Sequence, residues 1–147
     1  ISYSGLYSVA NIIIPSEKIN NNDVNTRNRL LFWTIVIGII HGIVILNLSF
    51  VLPFLTEDIN IINCCKKLLG VISFYQFIHG YTFILEGILN GYQKFKDSGI
   101  GNILSALPMF LLLTKVNSLF SIWLLASLTL FIKSIYNHTI INNKIKN

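Results

Sequence analysis

The sequence predicts an all-α integral membrane protein of about four transmembrane helices, and three observations predict it. The 147 residues are 53% apolar and 12% charged, with a mean hydropathy of +0.66, whereas a soluble domain carries about 25% charged residues. Charges are absent from 30–56, 68–85, 98–114 and 116–132, stretches of 27, 18, 17 and 17 residues; a spanning helix needs roughly 20 apolar residues, with about 17 as the lower limit. No stretch alternates apolar and polar residues in the period of a strand. Soluble enzymes, nucleic-acid modules and disordered tails are excluded by the same composition.

Residues 1–14, ISYSGLYSVANIII, are too short to span alone, and no basic segment precedes them as a signal peptide requires. They read as the end of a preceding membrane helix or a membrane-associated segment. Residues 15–29, PSEKINNNDVNTRNR, form a polar connector with a proline break and an Asn run. The transmembrane domain occupies 30–136. Its first span, 30–54, has Trp33 as an interfacial anchor and ends near Pro53, before the acidic Glu57-Asp58 loop. The second covers 67–91, and the loop QKFKD, 93–97, turns the chain back. The third, 98–114, carries Pro108, which a membrane helix tolerates when neighbours satisfy the freed carbonyl. A tight turn at Lys115-Val116-Asn117 leads into the fourth, 117–136, and a polar tail follows over 137–147.

The net charge of +5 and pI near 9.3 take their meaning from position. With four crossings, one side holds Lys18, Arg27, Arg29, Lys94, Lys96, Lys133, Lys144 and Lys146, and the other only Lys66, Lys67 and Lys115. Eight against three places both ends of the four-span domain on the cytoplasmic or stromal side. No loop carries an extended run of interleaved aromatic and basic residues in the manner of a single-strand binder, so membrane lipids are expected as partners and nucleic acid is not. Ile occurs 26 times and Asn 16, against three Ala; this points to an AT-biased genome such as that of an organelle, an endosymbiont remnant or an AT-rich protist.

Lipid offers no hydrophobic drive between helices, so small residues that permit close approach mark the packing faces. Gly38 and Gly42 supply one in the first span, Gly80, Gly87 and Gly91 another in the second, and Gly101 with Ser105 a third. At about 100° per residue, Gln76, His79, Phe83, Glu86 and Asn90 fall within an arc of about 80°, and the second-span glycines lie beside it. A face this polar must look into a bundle or a wet cavity. Gln76 and Asn90 also suit interhelical glue, with Glu86 near the headgroups and paired with Lys94. His41, near mid-membrane beside Gly38 and Gly42, reads as a buried neutral histidine, with proton relay or ligation of a pigment's magnesium as the alternatives. Cys64-Cys65 forms no CxxC or Cys/His cluster, so no metal site is expected. A Ser-His-Asp arrangement, a phosphate-binding loop and a dinucleotide fingerprint are likewise missing. No enzymatic chemistry is expected.

Two long segments carry a family resemblance. From Asn28 the chain reads NRLLFWTIVIGIIHGIVILNLSFVLPFLTED, and from Phe74 it reads FYQFIHGYTFILEGILNGYQKFKDSGIGNILSA. Together they resemble the multidrug and toxic-compound extrusion (MATE) transporters, especially the DinF-like, plastid-type branch. There an Arg-Leu-Leu-x-Trp segment opens the ninth helix and a Phe-Thr-x-Asp-like turn closes it; here Arg29-Leu30-Leu31-Phe32-Trp33 and Phe54-Leu55-Thr56-Glu57-Asp58 correspond. The tenth helix of the family reads Asp-Gly-x-x-x-Gly before a short basic loop; here Glu86-Gly87-Ile88-Leu89-Asn90-Gly91 matches, with Glu for Asp. The resemblance covers about 25–135, helices nine to twelve of a family with twelve, and makes 1–14 the end of helix eight. It also implies that the best-placed counterpart of a mid-helix acid in helix ten is His79.

Two functions follow, and they differ in class. The first is a non-enzymatic MATE-like half-transporter relic, a structural or accessory subunit packed against other transmembrane subunits of a larger complex. A plastid photosynthetic assembly in the thylakoid suits it, with chlorophyll or lipid as the bound group and His41 or His79 as pigment or proton ligand. The alternative is a C-terminal fragment of a proton- or sodium-coupled organic-cation antiporter, with His79 and Glu86 lining its cavity. Ile rather than Met stands first, which leaves both a processed chain and part of a longer one open. The expectation leans to the subunit, because alternating access needs two bundles around a midplane site.

Overall fold

Long apolar runs become helices here because lipid leaves no other way to satisfy backbone N–H and C=O groups within a single segment. The computed structural model describes residues 3–19 and 22–144. Six helices follow one another: α1 (Tyr3–Ile19), α2 (Asp23–Asn47), α3 (Leu52–Leu55), α4 (Ile59–Gly91), α5 (Phe95–Leu113) and α6 (Leu119–Lys144), with a 3-10 turn at Leu48–Phe50. Among the described residues there is no strand.

Local chemistry sets the boundaries. Asp23 in the first turn of α2 complements the positive end of the helix dipole. The α2 helix stops at Asn47, short of the position near Pro53 that the hydropathy predicts, because the chain tightens into the 3-10 turn. Pro53 then opens α3, where its missing N–H costs nothing. At the start of α4 the Asp58 carboxylate accepts the N–H groups of Asn60 and Ile61 at 2.8 and 3.4 Å. The other end of α4 closes with Gln93 at φ 59°, the Lys94 N–H donating to the Leu89 carbonyl at 2.8 Å and the Gln93 N–H to that of Asn90 at 2.9 Å. This left-handed cap releases the chain into α5.

Among the described residues, three helical segments are long and apolar enough to cross a membrane: Asp23–Phe50, Ile59–Gly91 and Leu119–Asn143. The third predicted span is the 19-residue α5, whose first turn holds Lys96 and Asp97; its charge-free part stays at the lower limit of length. The polar segment 15–29 is largely helical: α1 runs through Pro15 to Ile19, and α2 starts at Asp23. Of the polar tail predicted over 137–147, the described part, 137–144, continues α6 and buries Asn137 and Ile141 completely or nearly so, at 0% and 1% exposed. Ser134, Asn137 and Ile141 recur at helical spacing, so one stripe of this polar stretch still faces the bundle. Lys146 lies outside the described residues.

Helix α4 is the hub. It packs against α1, α2 and α6, while α5 rests mainly on α6. The core is built from its second half, where Ile84, Leu85, Ile88 and Leu89 are fully buried, together with Ala10 and Ile14 of α1. Contact order gives the directions. Tyr3 meets Gly80 and Ile14 meets Gly91, so α1 and α4 run the same way. Gly38 meets Phe77 and Gly42 meets Ser73, so α2 runs against them. Tyr75 touches Trp123 and Glu86 touches Lys133, so α6 is parallel to α4. One end of the bundle thereby gathers Lys18, Arg27, Arg29, Lys94 and Lys96 around the α1–α2 and α4–α5 connections. Lys133 is not among these loop charges: it is 7% exposed and stands 11 residues before the end of α6, about 16 Å along the axis.

Candidate functional site

The glycines of α4 decide where α1 comes closest. A Cβ on Gly80 would lie 2.1 Å from the Tyr3 ring, one on Gly87 2.9 Å from Tyr7, and one on Gly91 2.8 Å from the Ala10 carbonyl oxygen. Approach this close is open only to a residue with no side chain. On α2, Gly38 lies against Phe77 and Gly42 against Ser73, whose hydroxyl donates to the Gly42 carbonyl at 3.1 Å.

The polar arc of α4 lies between two neighbours. On the glycine side, the Asn90 amide donates to the Tyr7 hydroxyl at 2.8 Å, and Phe83 stacks on the Tyr7 ring at 4.5 Å. On the other side, Lys133 of α6 places its ammonium 2.5 Å from a Glu86 carboxylate oxygen, with the two side chains only 9% and 16% exposed. His79 sits between these attachments, stacked between Tyr75 at 5.7 Å and Phe83 at 6.0 Å, and Tyr75 meets Trp123 edge-on at 5.0 Å. The buried His79 Nδ1 has no hydrogen-bond partner. Both Lys133 and Glu86 are close enough for their charges to act on the His79 ring. The result is a groove along α4, bounded by α1 and α6, with aromatic walls and one charge pair at its edge. Gln76 lies half-buried on the same arc.

Not every candidate belongs to this groove. His41 points to α1, meeting the Tyr3 ring edge-on at 5.1 Å, and its buried Nδ1 is also unpartnered. It lines a separate groove of about 290 Å³ with Trp33, Val36, Ile37 and Ile40. Among the described residues, no three His, Cys, Asp or Glu side chains converge as a metal site would need.

Sequence reasoning missed the residue that completes the site. It counts Lys133 among the charges on the basic side, near the end of the fourth span, and offers Lys94 to Glu86, yet the ion pair joins α4 to α6. A signal was available, because Ser127, Ser134 and Asn137 form a buried polar stripe on α6 beside Lys133. The bonds from Thr82 to the Leu130 carbonyl at 3.3 Å and between Tyr81 and His138 at 3.0 Å fix the same pair of helices.

The model of the MatE family matches residues 23–114, the whole of α2 to α5. The chain belongs to the MatE family. No curated protein and no solved structure matches it. Within the MatE match lie Gln76, His79, Glu86 and Asn90, whereas Tyr7 and Lys133, which hold Asn90 and Glu86, lie outside it. MatE proteins are membrane transporters rather than enzymes.

Proposed function

We propose that this chain supplies one helical bundle of a cation-coupled membrane exporter, and that the groove between α1 and α6 faces the translocation path. The Glu86–Lys133 pair carries the reading. Buried ion pairs are seldom more stable than apolar residues of the same volume, and ionisable groups at membrane depth mark transport paths by default. The resemblance to multidrug and toxic-compound extrusion transporters supports an organic cation as substrate, with the aromatic walls at Tyr75, His79 and Phe83 offering it π faces. Alternating access requires a second bundle across the groove, contributed by further chain or by another subunit.

The test is counter-transport in sealed vesicles containing the native protein that carries this sequence. A proton gradient is expected to drive movement of a lipophilic organic cation, and Glu86→Gln is expected to abolish it while leaving the protein folded. Wild-type vesicles that move no cation under proton or sodium gradients would overturn the exporter reading.

A second reading has its own support. The outer face of α5 is apolar, with Ile103 65% and Phe110 81% exposed, and His41 lines the groove beside Trp33. An accessory subunit of a plastid thylakoid complex would bury the first against other transmembrane helices and offer the second to a chlorophyll or lipid. It predicts no transport and co-purification of this chain with a larger pigment-bearing assembly from native membranes.

A further inference from the structure

We infer that Lys133 is a built-in counter-cation that keeps sodium off Glu86, so that this carboxylate does not serve as a metal-cation site. The inference rests on the reading of Glu86 as an ion-handling residue, and it concerns which ion that residue accepts.

The ammonium of Lys133 already occupies the space beside the Glu86 carboxylate oxygen, at 2.5 Å. A sodium ion on the same carboxylate would stand roughly 4 Å from that ammonium, and like charges at this distance in partly buried surroundings cost on the order of a thousandfold in affinity. Displacing the ammonium is opposed by its tether. The Thr82–Leu130 and Tyr81–His138 bonds clamp α6 to α4 on either side of Lys133 along α6, which holds the ammonium at a high effective concentration. The remaining donors also suit sodium poorly. Hard cations take several oxygen ligands, whereas the groups beside Glu86 on this arc are the His79 ring and the neutral oxygens of Gln76, Asn90 and Tyr7, the last already bonded to Asn90.

The experiment compares thermal unfolding of the full chain in sodium chloride and in potassium chloride of equal strength. Both salts are buffered at the same alkaline pH. Wild-type protein is expected to unfold at the same temperature in both salts. In Lys133→Met the bare carboxylate is expected to recruit sodium, raising the midpoint by about 3 °C over potassium, and adding Glu86→Gln is expected to erase that gain. A sodium response of the wild type that disappears in Glu86→Gln overturns the inference. So does a folded Lys133→Met that ignores sodium. Should Lys133→Met fail to fold, Lys133→Gln replaces it, and the wild-type comparison decides in either case. Sodium binding unmasked in Lys133→Met without any wild-type transport would sink the exporter reading and leave this one standing.

Discussion

The phenol of Tyr92 donates a hydrogen bond to the carboxylate of Asp23, tying the end of α4 to the first turn of α2. Lys18, at the end of α1, lies 5.8 Å from the centre of the same ring. Three helices thus meet on one aromatic side chain that is 6% exposed.

Removing that phenol is expected to loosen the junction. A hydrogen bond to a charged group contributes about 1.5–3 kcal/mol, so Tyr92→Phe is expected to lower stability by about that amount in detergent unfolding. Burial first, and then the Asp23 hydrogen bond and charge, push the Tyr92 phenol above its ordinary value, against a smaller opposing pull from Arg27. A raised value in the folded state means the contribution is complete below the unfolded value of about 10 and is lost as pH climbs beyond it. Between about pH 9 and 11 the wild-type midpoint is expected to fall more steeply than that of Tyr92→Phe.

Two glycines of α4 are expected to respond oppositely to the same change. In Gly91→Ala the new methyl meets the Ala10 backbone carbonyl at 2.8 Å and the Ile14 Cβ at 3.0 Å, neither of which can rotate away. Overpacking of this kind costs about 1–3 kcal/mol. Gly70 has nothing within 4 Å of its Cβ position, so Gly70→Ala is expected to be neutral or to gain up to about 1 kcal/mol of helix propensity. Unfolding midpoints of the two variants, measured side by side, check the contrast.

The Glu86–Lys133 pair is expected to show strong coupling. Glu86→Gln and Lys133→Met each leave one buried group without its partner, at a cost of about 3–5 kcal/mol. The double variant buries no uncompensated charge and is expected to recover much of that loss. A double-mutant cycle on unfolding free energies measures the coupling, and additive losses would show that the two groups do not depend on each other.

Gln93 holds a left-handed backbone at φ 59° that glycine adopts without strain. Because its side chain is exposed, Gln93→Gly is expected to stabilise the α4 cap by about 1 kcal/mol. A rise in the unfolding midpoint, with the same helical content by circular dichroism, is the result to look for.

Much of this architecture was legible one segment at a time. The charge-free runs located α2, α4, α5 and α6, and the spacing of Gln76, His79, Glu86 and Asn90 placed them on one face of α4. Those features depend on residues within a few turns of one another. The partner of Glu86 was not legible, because Lys133 lies 47 positions away and Lys94, two turns along, offered the nearer opposite charge. The tail misled for a related reason: Asn137 and His138 look solvated by type, and only the approach of α4 and α5 buries the one and bonds the other to Tyr81.

The low charge content by itself determined that the chain is helical and lives in a bilayer, since so few charged groups cannot coat a soluble surface and lipid demands internally bonded backbone. Tertiary structure alone decided what the scarce charges do. With α6 parallel to α4, Lys133 becomes the counter-ion of Glu86 rather than a marker of membrane sidedness. The physical reason is that a charge in an apolar bundle is tolerated only beside its opposite, and no local pattern says which helix will bring that opposite within reach.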